Sequence, residues 1–270
     1  VVLYRGERGS APERLRTRLV IGADGARSAV AREAIPGGDR VRCVFAYHEV
    51  VEAPDTDTAD YAARRADVVY DGDLSPDFYA WVFPHGGQAS IGVGSADKGF
   101  ALRDAVARLR QRTGLDACRT IRHEGAPIPL KPLARWDNGR DVLVVGDAAG
   151  VVAPASGEGI FYAMTCGRMG ADAALAFLAT GRARALRQAR RRFMRAHGRV
   201  FWVLGMMQYF WYSSDKRRER FVSICADKDV QELTWQAYMN KRLARRKPVA
   251  HLRIFLKDLA HLFGLRPAAQ

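Results

Sequence analysis

The chain has 270 residues, 48% of them hydrophobic, which is enough apolar surface for one large globular domain or two modest ones. No stretch reaches the roughly 18 consecutive apolar residues that a membrane-spanning helix needs, so none is predicted. The formal net charge is +14, but only seven of the 43 basic residues are lysine. Because heavy arginine usage can reflect the base composition of a genome, the charge is weak support for a nucleic-acid or anionic-lipid partner.

The cysteines and the first residues further limit the class of protein to which the chain can belong. The four cysteines are scattered and form no C-x-x-C pair, which argues against a zinc ribbon or a disulfide framework and favours a reducing compartment. We therefore expect no metal site and a cytoplasmic location. Residues 1–5 lack an initiating methionine, match neither a signal nor a transit peptide, and are typical of the middle of a strand. We expect the chain to begin inside a larger protein.

The first motif follows a predicted strand. The residue pattern predicts strands over Val1–Gly6 and Arg14–Ile21, joined by a turn-rich segment. The second strand runs into G-A-D-G-A-R-S-A-V-A-R at residues 22–32. Glycine-rich backbone turns there, and a helix is predicted to begin at Ser28, a residue type favoured as an N-cap. By composition alone, this segment predicts a strand–turn–helix corner.

The middle of the chain predicts a sheet. Strands are expected at residues 41–53, 66–70, 78–84, 90–94 and 119–129, with a helix at 98–113. The segments 78–84 and 90–94 predict a hairpin in which the aromatic residues Tyr79, Trp81 and Phe83 alternate. Aromatic side chains serve both in sheet packing and in the lining of apolar cavities, so both interpretations remain open for these three residues.

The central stretch, residues 141–170, predicts a ligand site. Asp141–Val145 is a valine-rich run typical of a buried strand, and G-D-A-A-G follows it. A loop with Pro154 and two glycines then opens a helix that Gly181 ends. Small residues let backbone approach a ligand closely, one carboxylate can accept hydrogen bonds from sugar-like hydroxyls, and a helix start stabilises negative charge. The full spacing G-D-A-A-G-x-x-x-P-x-x-G-E-G-I favours a flat, phosphate-bearing cofactor over an ordinary strand–turn–helix.

The two motifs resemble those of the superfamily of FAD-dependent hydroxylases and geranylgeranyl reductases. The resemblance implies that Asp147 contacts the ribityl chain of FAD and that backbone around Pro154 faces the flavin ring. It also implies that Asp24 lies near the pyrophosphate and the path of the nicotinamide. The cofactor-binding residues that follow from the resemblance are Asp24, Gly25, Ser28, Gly146, Asp147, Pro154, Gly157, Glu158, Gly159 and Ile160, together with Arg32.

The C-terminal third predicts helices. Residues 182–199 predict a basic helix, and the apolar run 200–212 predicts a helix that is buried, closes over a substrate or lies against a membrane. Two or three more helices are expected over Asp215–Leu265. The strings F-W-V-L-G-M-M-Q-Y-F-W-Y-S-S-D-K-R-R-E-R-F and A-H-L-R-I-F-L-K-D-L-A-H-L resemble the C-terminal region of bacteriochlorophyll-type geranylgeranyl reductases, as does A-P-A-S-G-E-G-I-F-Y-A-M in the central stretch.

This resemblance covers essentially the whole chain and implies an oxidoreductase. Such an enzyme reduces the geranylgeranyl chain of (bacterio)chlorophyll, or of geranylgeranyl diphosphate, to phytyl, with electrons from NADPH by way of FAD. The pattern Y-x-W-x-F-P followed by G-V-G resembles the substrate-domain hairpin, so Tyr79, Trp81 and Phe83 are expected to line the substrate cavity. The sequence does not identify the proton donor; the candidates that nothing distinguishes are Glu158, Tyr79, Tyr162 and His85.

The implied fold is α/β. It combines an FAD-binding, Rossmann-like domain of the aromatic-hydroxylase (glutathione-reductase-like) class with an inserted mixed-sheet substrate domain and a C-terminal helical cap. The expected ranges are 1–40 and 131–181 for the FAD-binding domain, 41–130 for the substrate domain and 182–270 for the helical region. The G-x-G-x-x-G string that holds the pyrophosphate in this superfamily does not occur here. We therefore expect an N-terminally truncated chain that binds FAD weakly or not at all on its own.

Two other functions remain open. An FAD-dependent aromatic monooxygenase has the same fold, and consumption of oxygen would distinguish it from a reductase. A basic module for nucleic acid or anionic lipid has only the net charge in its favour, and no nucleic-acid motif occurs, so no nucleic-acid partner is expected. For the enzyme, peripheral contact with the inner or photosynthetic membrane is an alternative to a purely cytoplasmic location.

Overall fold

The computed structural model describes residues 1–6 and 10–241 and divides into two compact units. Unit 1 comprises Val1–Arg42, Pro129–Ala153 and Gly157–Gly198, and unit 2 comprises Cys43–Ile128, Pro154–Ser156 and the residues from Arg199 onward. The last part of the predicted C-terminal helical region, beyond Lys241, lies outside the described residues. The assignment of sequence ranges to an FAD-binding and a substrate domain stays a prediction.

The described chain contains both strands and helices, and its last four regular helices follow one another. In order the strands and helices are β1 (Val2–Tyr4), β2 (Glu13–Leu15), β3 (Val20–Gly22), α1 (Ala29–Ala34), β4 (Cys43–Glu52), β5 (Asp67–Val69), β6 (Ala80–Pro84), β7 (Gln88–Ser95), α2 (Leu102–Arg112), β8 (Thr120–Pro129), β9 (Val142–Val144), α3 (Ile160–Thr180), α4 (Arg187–Trp211), α5 (Asp215–Cys225) and α6 (Lys228–Asn240). The predicted hairpin is confirmed as β6–β7, and the predicted α/β class is confirmed.

Two predicted boundaries are wrong, and hydrogen bonding explains both. The single strand predicted over Arg14–Ile21 is two strands, because β2 pairs antiparallel with β1 whereas β3 pairs parallel with β9. The helix predicted from residue 98 begins at Leu102. Asp97 forms a turn before it, accepting from the N–H of Gly99 on its carboxylate and from the N–H of Phe100 on its carbonyl.

In unit 1, the pairing of β3 with β9 sets the position of everything that follows each strand. Gly22 lies beside Val144 in this parallel pair, and the N–H of Val145 donates to the carbonyl of Gly22. On its other edge, β9 bonds to the segment before it, through Val144 N–H to the Trp136 carbonyl and Asn138 N–H to the Val142 carbonyl. Strand β9 is therefore the inner strand of this small sheet.

A tight turn ends β9. Residues Gly146–Ala149 form one 3-10 turn, and Gly150 closes it in the left-handed region at φ 75°. A Cβ at Gly150 would lie 2.5 Å from the carbonyl oxygen of Lys131, so only glycine fits here. The predicted small-residue corner is thus a real steric requirement. The helix α3 that follows ends at Gly181, also at positive φ, as predicted.

Unit 2 is built on one five-stranded sheet in the order β5-β6-β7-β4-β8. The pairs β5–β6, β6–β7 and β4–β7 of this sheet are antiparallel, whereas β3 and β9 of unit 1 are parallel. Helix α2 packs on one face of this sheet and buries Ala105, Val106 and Leu109 against Val82 and Ile91. The core of unit 2 therefore lies between α2 and the sheet.

Helices complete the described chain. Arg218 of α5 is 4% exposed and donates to the carbonyls of Pro76 and Tyr212, which fixes the start of α5 within unit 2. The apolar run of α4 is buried at Phe201, Trp211 and Tyr212 but exposed at Trp202 and Tyr209. Over the described residues, no helix is both long and apolar enough to cross a membrane.

Candidate functional site

The first corner, after β3, is organised by Asp24. Its carboxylate accepts hydrogen bonds from the Ser28 hydroxyl at 2.5 Å and from the N–H groups of Ala29 and Val30 at 2.7 and 3.2 Å. Ser28 is the N-cap of α1, as predicted, and its hydroxyl accepts from the N–H of Ala31. Asp24 and Ser28 together satisfy the orphan donors at the start of α1. In this structure, Asp24 therefore has a local structural role.

These hydrogen bonds decide the charge of Asp24. Partial burial by itself raises the pKa of the Asp24 carboxyl, but the hydrogen bonds from Ser28, Val30 and Ala29 outweigh it and hold the pKa below its usual range. Asp24 is thus a permanent anion at neutral pH. Gly25, the next predicted residue, turns the chain at φ 80°.

The second corner, after β9, has a different electrostatic character. Asp147 lies in the 3-10 turn and is half-buried, and no other side chain among the described residues donates to it. Burial raises the pKa of the Asp147 carboxyl. Its own backbone N–H donates to this carboxylate, and hydroxyl groups of a ligand bind it favourably by replacing hydrogen bonds that burial has removed.

Helix α3 is fixed against this corner by a buried thiol. The N–H of Gly146 lies 3.4 Å from Cys166 Sγ, and burial raises the pKa of the Cys166 thiol to about 11, so the sulfur is neutral. No side chain caps the start of α3 at Gly159, which lies close to Asp147: a Cβ built at Gly159 would be 3.5 Å from Asp147 Oδ1. The corner and the helix start therefore lie together, with Ile160, the first helical residue, 81% exposed.

A short loop joins the corner to the helix. The carbonyl of Ala153 accepts from the N–H of Gly157, and the N–H of Ala153 donates to the carbonyl of Glu158. These two bonds close the loop at its base, so that Pro154–Ser156 form its tip. Gly157 adopts φ 66° within it.

In unit 2, tyrosines and a glutamine hold the loop tip. Tyr79 donates its hydroxyl to the Ser156 carbonyl at 2.7 Å, and Tyr212 donates to the Ala155 carbonyl at 3.0 Å. The N–H of Ala155 donates to Gln208 Oε1 at 3.1 Å. Ala155 has φ 64°, a left-handed conformation that is strained for any residue with a Cβ. The surrounding hydrogen bonds impose this conformation on it.

The face of the unit 2 sheet opposite α2 bears the predicted aromatic row. Tyr79, Trp81 and Phe83 are half-buried and succeed one another with ring centroids 6.0 and 6.2 Å apart. Trp81 lies flat over Gly92, where a Cβ would be 2.1 Å from the indole ring. Gly92 of the G-V-G string thus makes room for Trp81, and the aromatic row gives this face an apolar surface.

Sequence reasoning missed several residues of this face. His48 lies beside Trp81, with ring centroids 6.2 Å apart, and its two ring nitrogens are 3.1 Å from Ser90 Oγ and 3.3 Å from Glu124 Oε2. His48 therefore adds a hydrogen-bonded imidazole to this face. Strand alternation within β4 places His48 on this face, but only the pairing of β4 with β7 and β8 brings its two partners to it.

The structure separates the four candidate proton donors. Tyr162 is buried within unit 1, where it packs on Phe193 and His197, and His85 is exposed at the turn between β6 and β7. Tyr79 uses its hydroxyl to hold the loop tip, and Glu158 lies at the loop base. These placements assign the reaction proton to none of them.

Comparison with known proteins identifies a matching family model and relatives in sequence. The family model described as lycopene cyclase protein matches residues 99–260. The chain is 54% identical to a geranylgeranyl diphosphate reductase of Rhodobacter capsulatus, over 99% of this chain and 68% of that protein. It is 35% identical to the chloroplastic geranylgeranyl diphosphate reductase of Oryza sativa, over 95% of this chain and 56% of that protein.

Two solved structures are similar in fold. A geranylgeranyl bacteriochlorophyll reductase-like protein from Thermoplasma acidophilum has a TM-score of 0.64 at 20% identity, over 76% of this chain and 53% of that one. A flavin-dependent brominase has a TM-score of 0.63 at 13% identity, over 95% of this chain and 66% of that one. The predicted fold class of flavin-dependent enzymes is thereby confirmed.

We predict that Asp24→Asn lowers the free energy of unfolding by about 1 kcal/mol at pH 7, since the amide places a donor against the N–H groups of α1. Because the folded pKa is lowered, the wild-type advantage exists above the unfolded pKa of about 3.9 and disappears as the pH falls through the folded pKa. Urea unfolding at pH 7 and near pH 2.5 measures this. Asp39→Asn, which removes an exposed carboxylate of unit 1, should change neither value. An equal effect of Asp24→Asn at both pH values would contradict the capping role.

We predict that Ala155→Gly raises the free energy of unfolding by about 0.5–1 kcal/mol. The substitution relieves a left-handed residue, which costs roughly 1–2 kcal/mol, and part of this is offset by the greater backbone entropy of glycine when unfolded. The matched control is Ala171→Gly on the exposed side of α3, which should lower stability by about 1 kcal/mol. Thermal or urea unfolding compares the two; a loss of stability in Ala155→Gly would show that Ala155 is not strained.

Proposed function

Because the chain belongs to the geranylgeranyl reductase family, we propose that it forms part of a flavin-dependent oxidoreductase that reduces double bonds of a geranylgeranyl chain to give phytyl. The single observation that supports this most is the 54% identity over nearly the whole chain. Since the chain spans only 56–68% of these two relatives, the activity is proposed for the whole protein to which it belongs.

Unit 1 fits the proposed FAD. Asp147 is a half-buried carboxylate to which no other described side chain donates, next to backbone that only small residues permit, and both features suit a ligand with hydroxyl groups that lies against the chain. We assign flavin contacts to Gly146, Asp147, Gly157, Glu158, Gly159 and Ile160 and, at the loop tip, to Pro154. Bound FAD would supply the hydride for the double bond. Gly25 and Ser28 shape the neighbouring corner. In the proposed site, Asp24 has two roles there: it accepts hydrogen bonds from the start of α1, and it contacts the ligand.

Unit 2 fits an apolar chain. A prenyl group has no polar atoms to recognise, so its binding depends on apolar contact area. Such contact area is offered by the row Tyr79, Trp81 and Phe83. Because side chains alternate along a strand, these three lie on the face opposite α2 and outside the core of unit 2. We propose that these three side chains line the substrate site, and that His48, held by Ser90 and Glu124, adds a polar group to the same face.

The remaining partners are proposed on weaker support. NADPH as electron donor, and a prenylated tetrapyrrole or geranylgeranyl diphosphate as substrate, follow from the family alone. Peripheral contact with a membrane surface is supported by Trp202, Met206 and Tyr209, which are exposed at helical spacing along α4. The lycopene cyclase match over residues 99–260 is in keeping with a polyisoprenoid substrate.

The direct test uses the full-length protein with FAD, NADPH and geranylgeranyl diphosphate, followed by mass spectrometry of the product. The expected product gains two mass units for each double bond reduced, with NADPH consumed in equal number and without substrate-dependent use of oxygen. The monooxygenase alternative predicts the opposite: an oxygenated product and oxygen uptake.

We predict that Trp81→Ala raises the KM for the prenyl substrate roughly tenfold, because it removes apolar contact worth about 1.5 kcal/mol or more. Val82→Ala is the matched control, since Val82 is the next residue of β6 and faces the α2 core. It should lower the free energy of unfolding by about 1–2 kcal/mol without a selective change in KM. A Trp81 variant with unchanged KM and reduced stability would assign the row to packing only.

We predict that Asp147→Asn weakens FAD binding roughly tenfold or more and leaves the flavin-free protein as stable as before or more stable at pH 7. The sign of the stability change follows from the raised pKa of the Asp147 carboxyl. Burial disfavours the ionised carboxylate, so the folded state loses stability as the pH rises and the group ionises. Asparagine carries no charge and removes this loss. Flavin fluorescence titration and unfolding curves measure the two effects. Asp141→Asn, at the exposed start of the same strand, should leave FAD affinity unchanged. Unaltered affinity in Asp147→Asn would overturn the assigned contact.

A further inference from the structure

A cavity in unit 1 lies away from both corners. Its volume is about 360 Å³, and it is lined by Ala134, Arg135, Asp137, Asn138, Gly139, Arg187, Arg190 and Arg191. The segment 134–139 runs along the edge of β9 that does not face β3. The cavity is therefore separated from Asp24 by the strand β9, and no step of the proposed reaction uses it.

Positive charge dominates this cavity. Four arginines face one carboxylate, that of Asp137, which gives a net charge of +3. The carboxylate is only loosely paired: Asp137 Oδ1 lies 3.9 Å from Arg187 Nε and accepts a hydrogen bond from the N–H of Gly139 at 2.9 Å. Asp137 thus serves the turn at Gly139 more than it neutralises the arginines.

The arginines retain most of their donors. Arg190 donates Nε to the carbonyl of Leu133 at 3.0 Å, which holds its guanidinium beside the segment 134–139. Within the described part of the chain, Arg135 and Arg191 have no ion-pair partner, whereas the neighbouring Arg192, which does not line the cavity, is paired with Asp172 at 2.8 Å. Arg187 is also the first residue of the long helix α4, whose positive dipole end adds to the field.

Clustered guanidinium groups suit one ligand chemistry above others. Planar forks of N–H donors match phosphate oxygens, and an ester diphosphate bears about three negative charges, which balances the cavity. The volume suits a head group of this size but is at the lower limit for a larger ligand. We propose that the cavity lined by Arg135, Arg187, Arg190 and Arg191 is a binding site for a phosphorylated ligand, with a diphosphate group as the part recognised.

The ligand can be a soluble diphosphate compound or a phosphate-bearing lipid head group, since both present phosphate oxygens to the guanidinium groups. The experiment uses the full-length protein at 0.15 M ionic strength, where loosely attracted counterions are screened. Isothermal titration with inorganic pyrophosphate is the first arm. Sedimentation with phosphatidylcholine vesicles, with and without phosphatidic acid, is the second.

The variants are Arg191→Gln and Arg135→Gln, with Arg195→Gln as the matched control. Arg195 is exposed one turn further along α4 and does not line the cavity, so it removes the same charge from the same helix. We expect saturable binding of about one pyrophosphate, or selective sedimentation with phosphatidic acid, that weakens roughly 10- to 100-fold in either cavity variant and less than twofold in the control. Arg135→Lys should recover part of the loss, because it restores the charge without the planar fork.

Binding in the first arm identifies a soluble ligand, and binding in the second arm alone identifies a lipid head group; either supports the site when the cavity variants lose it. Two results overturn the proposal: no binding in either arm, or an equal loss in Arg195→Gln, which would indicate diffuse attraction to the basic helix. Neither of these two results depends on flavin binding or on double-bond reduction. Failure of this proposal can therefore be distinguished from failure of the proposed function.

Discussion

The parallel pairing of β3 with β9 is the constraint on which the rest of unit 1 depends. Two parallel strands end at the same edge of a sheet, so whatever follows one strand lies beside whatever follows the other. Asp24 lies two residues after Gly22, and the turn containing Asp147 begins two residues after its partner Val144. Two motifs about 120 residues apart in sequence thereby become neighbours at one edge, and α1 packs against the turn of the second motif.

The two aspartates at this edge illustrate how local hydrogen bonding divides similar residues into different roles. Asp24 receives three donors from its own helix start and remains ionised, so its contribution is largely structural. Asp147 is withdrawn from water without such donors, and its pKa is raised. Burial of a carboxylate without side-chain donors lowers stability, and perturbed groups of this kind cluster at functional sites. The geometry therefore favours Asp147 over Asp24 as the residue whose oxygens are available.

Unit 2 uses the alternation of a strand to give one sheet two different faces. Val82 and its neighbours on one side complete the core with α2, while Tyr79, Trp81 and Phe83 on the other side remain half-buried. Glycine at position 92 allows the indole of Trp81 to lie against the sheet. The same aromatic row reaches the loop tip through the hydroxyl of Tyr79, which donates to the carbonyl of Ser156, the residue after Ala155. The aromatic face and the loop tip are thus joined by a hydrogen bond within unit 2.

The sequence by itself determined the local features: the Ser28 N-cap, the glycine-closed turn after β9, the β6–β7 hairpin with its alternating aromatics, and the ends of α3. Each depends on residues close in sequence, whose steric and hydrogen-bonding preferences act at short range. Other features depend on the tertiary structure. Arg14–Ile21 divides between two sheets, and His48 contacts Ser90 and Glu124. Tyr212 and Gln208 form hydrogen bonds with Ala155, and four arginines from two segments line one cavity. These features depend on strand register and helix placement, which bring together residues many positions apart. No periodic pattern in the sequence indicates such contacts.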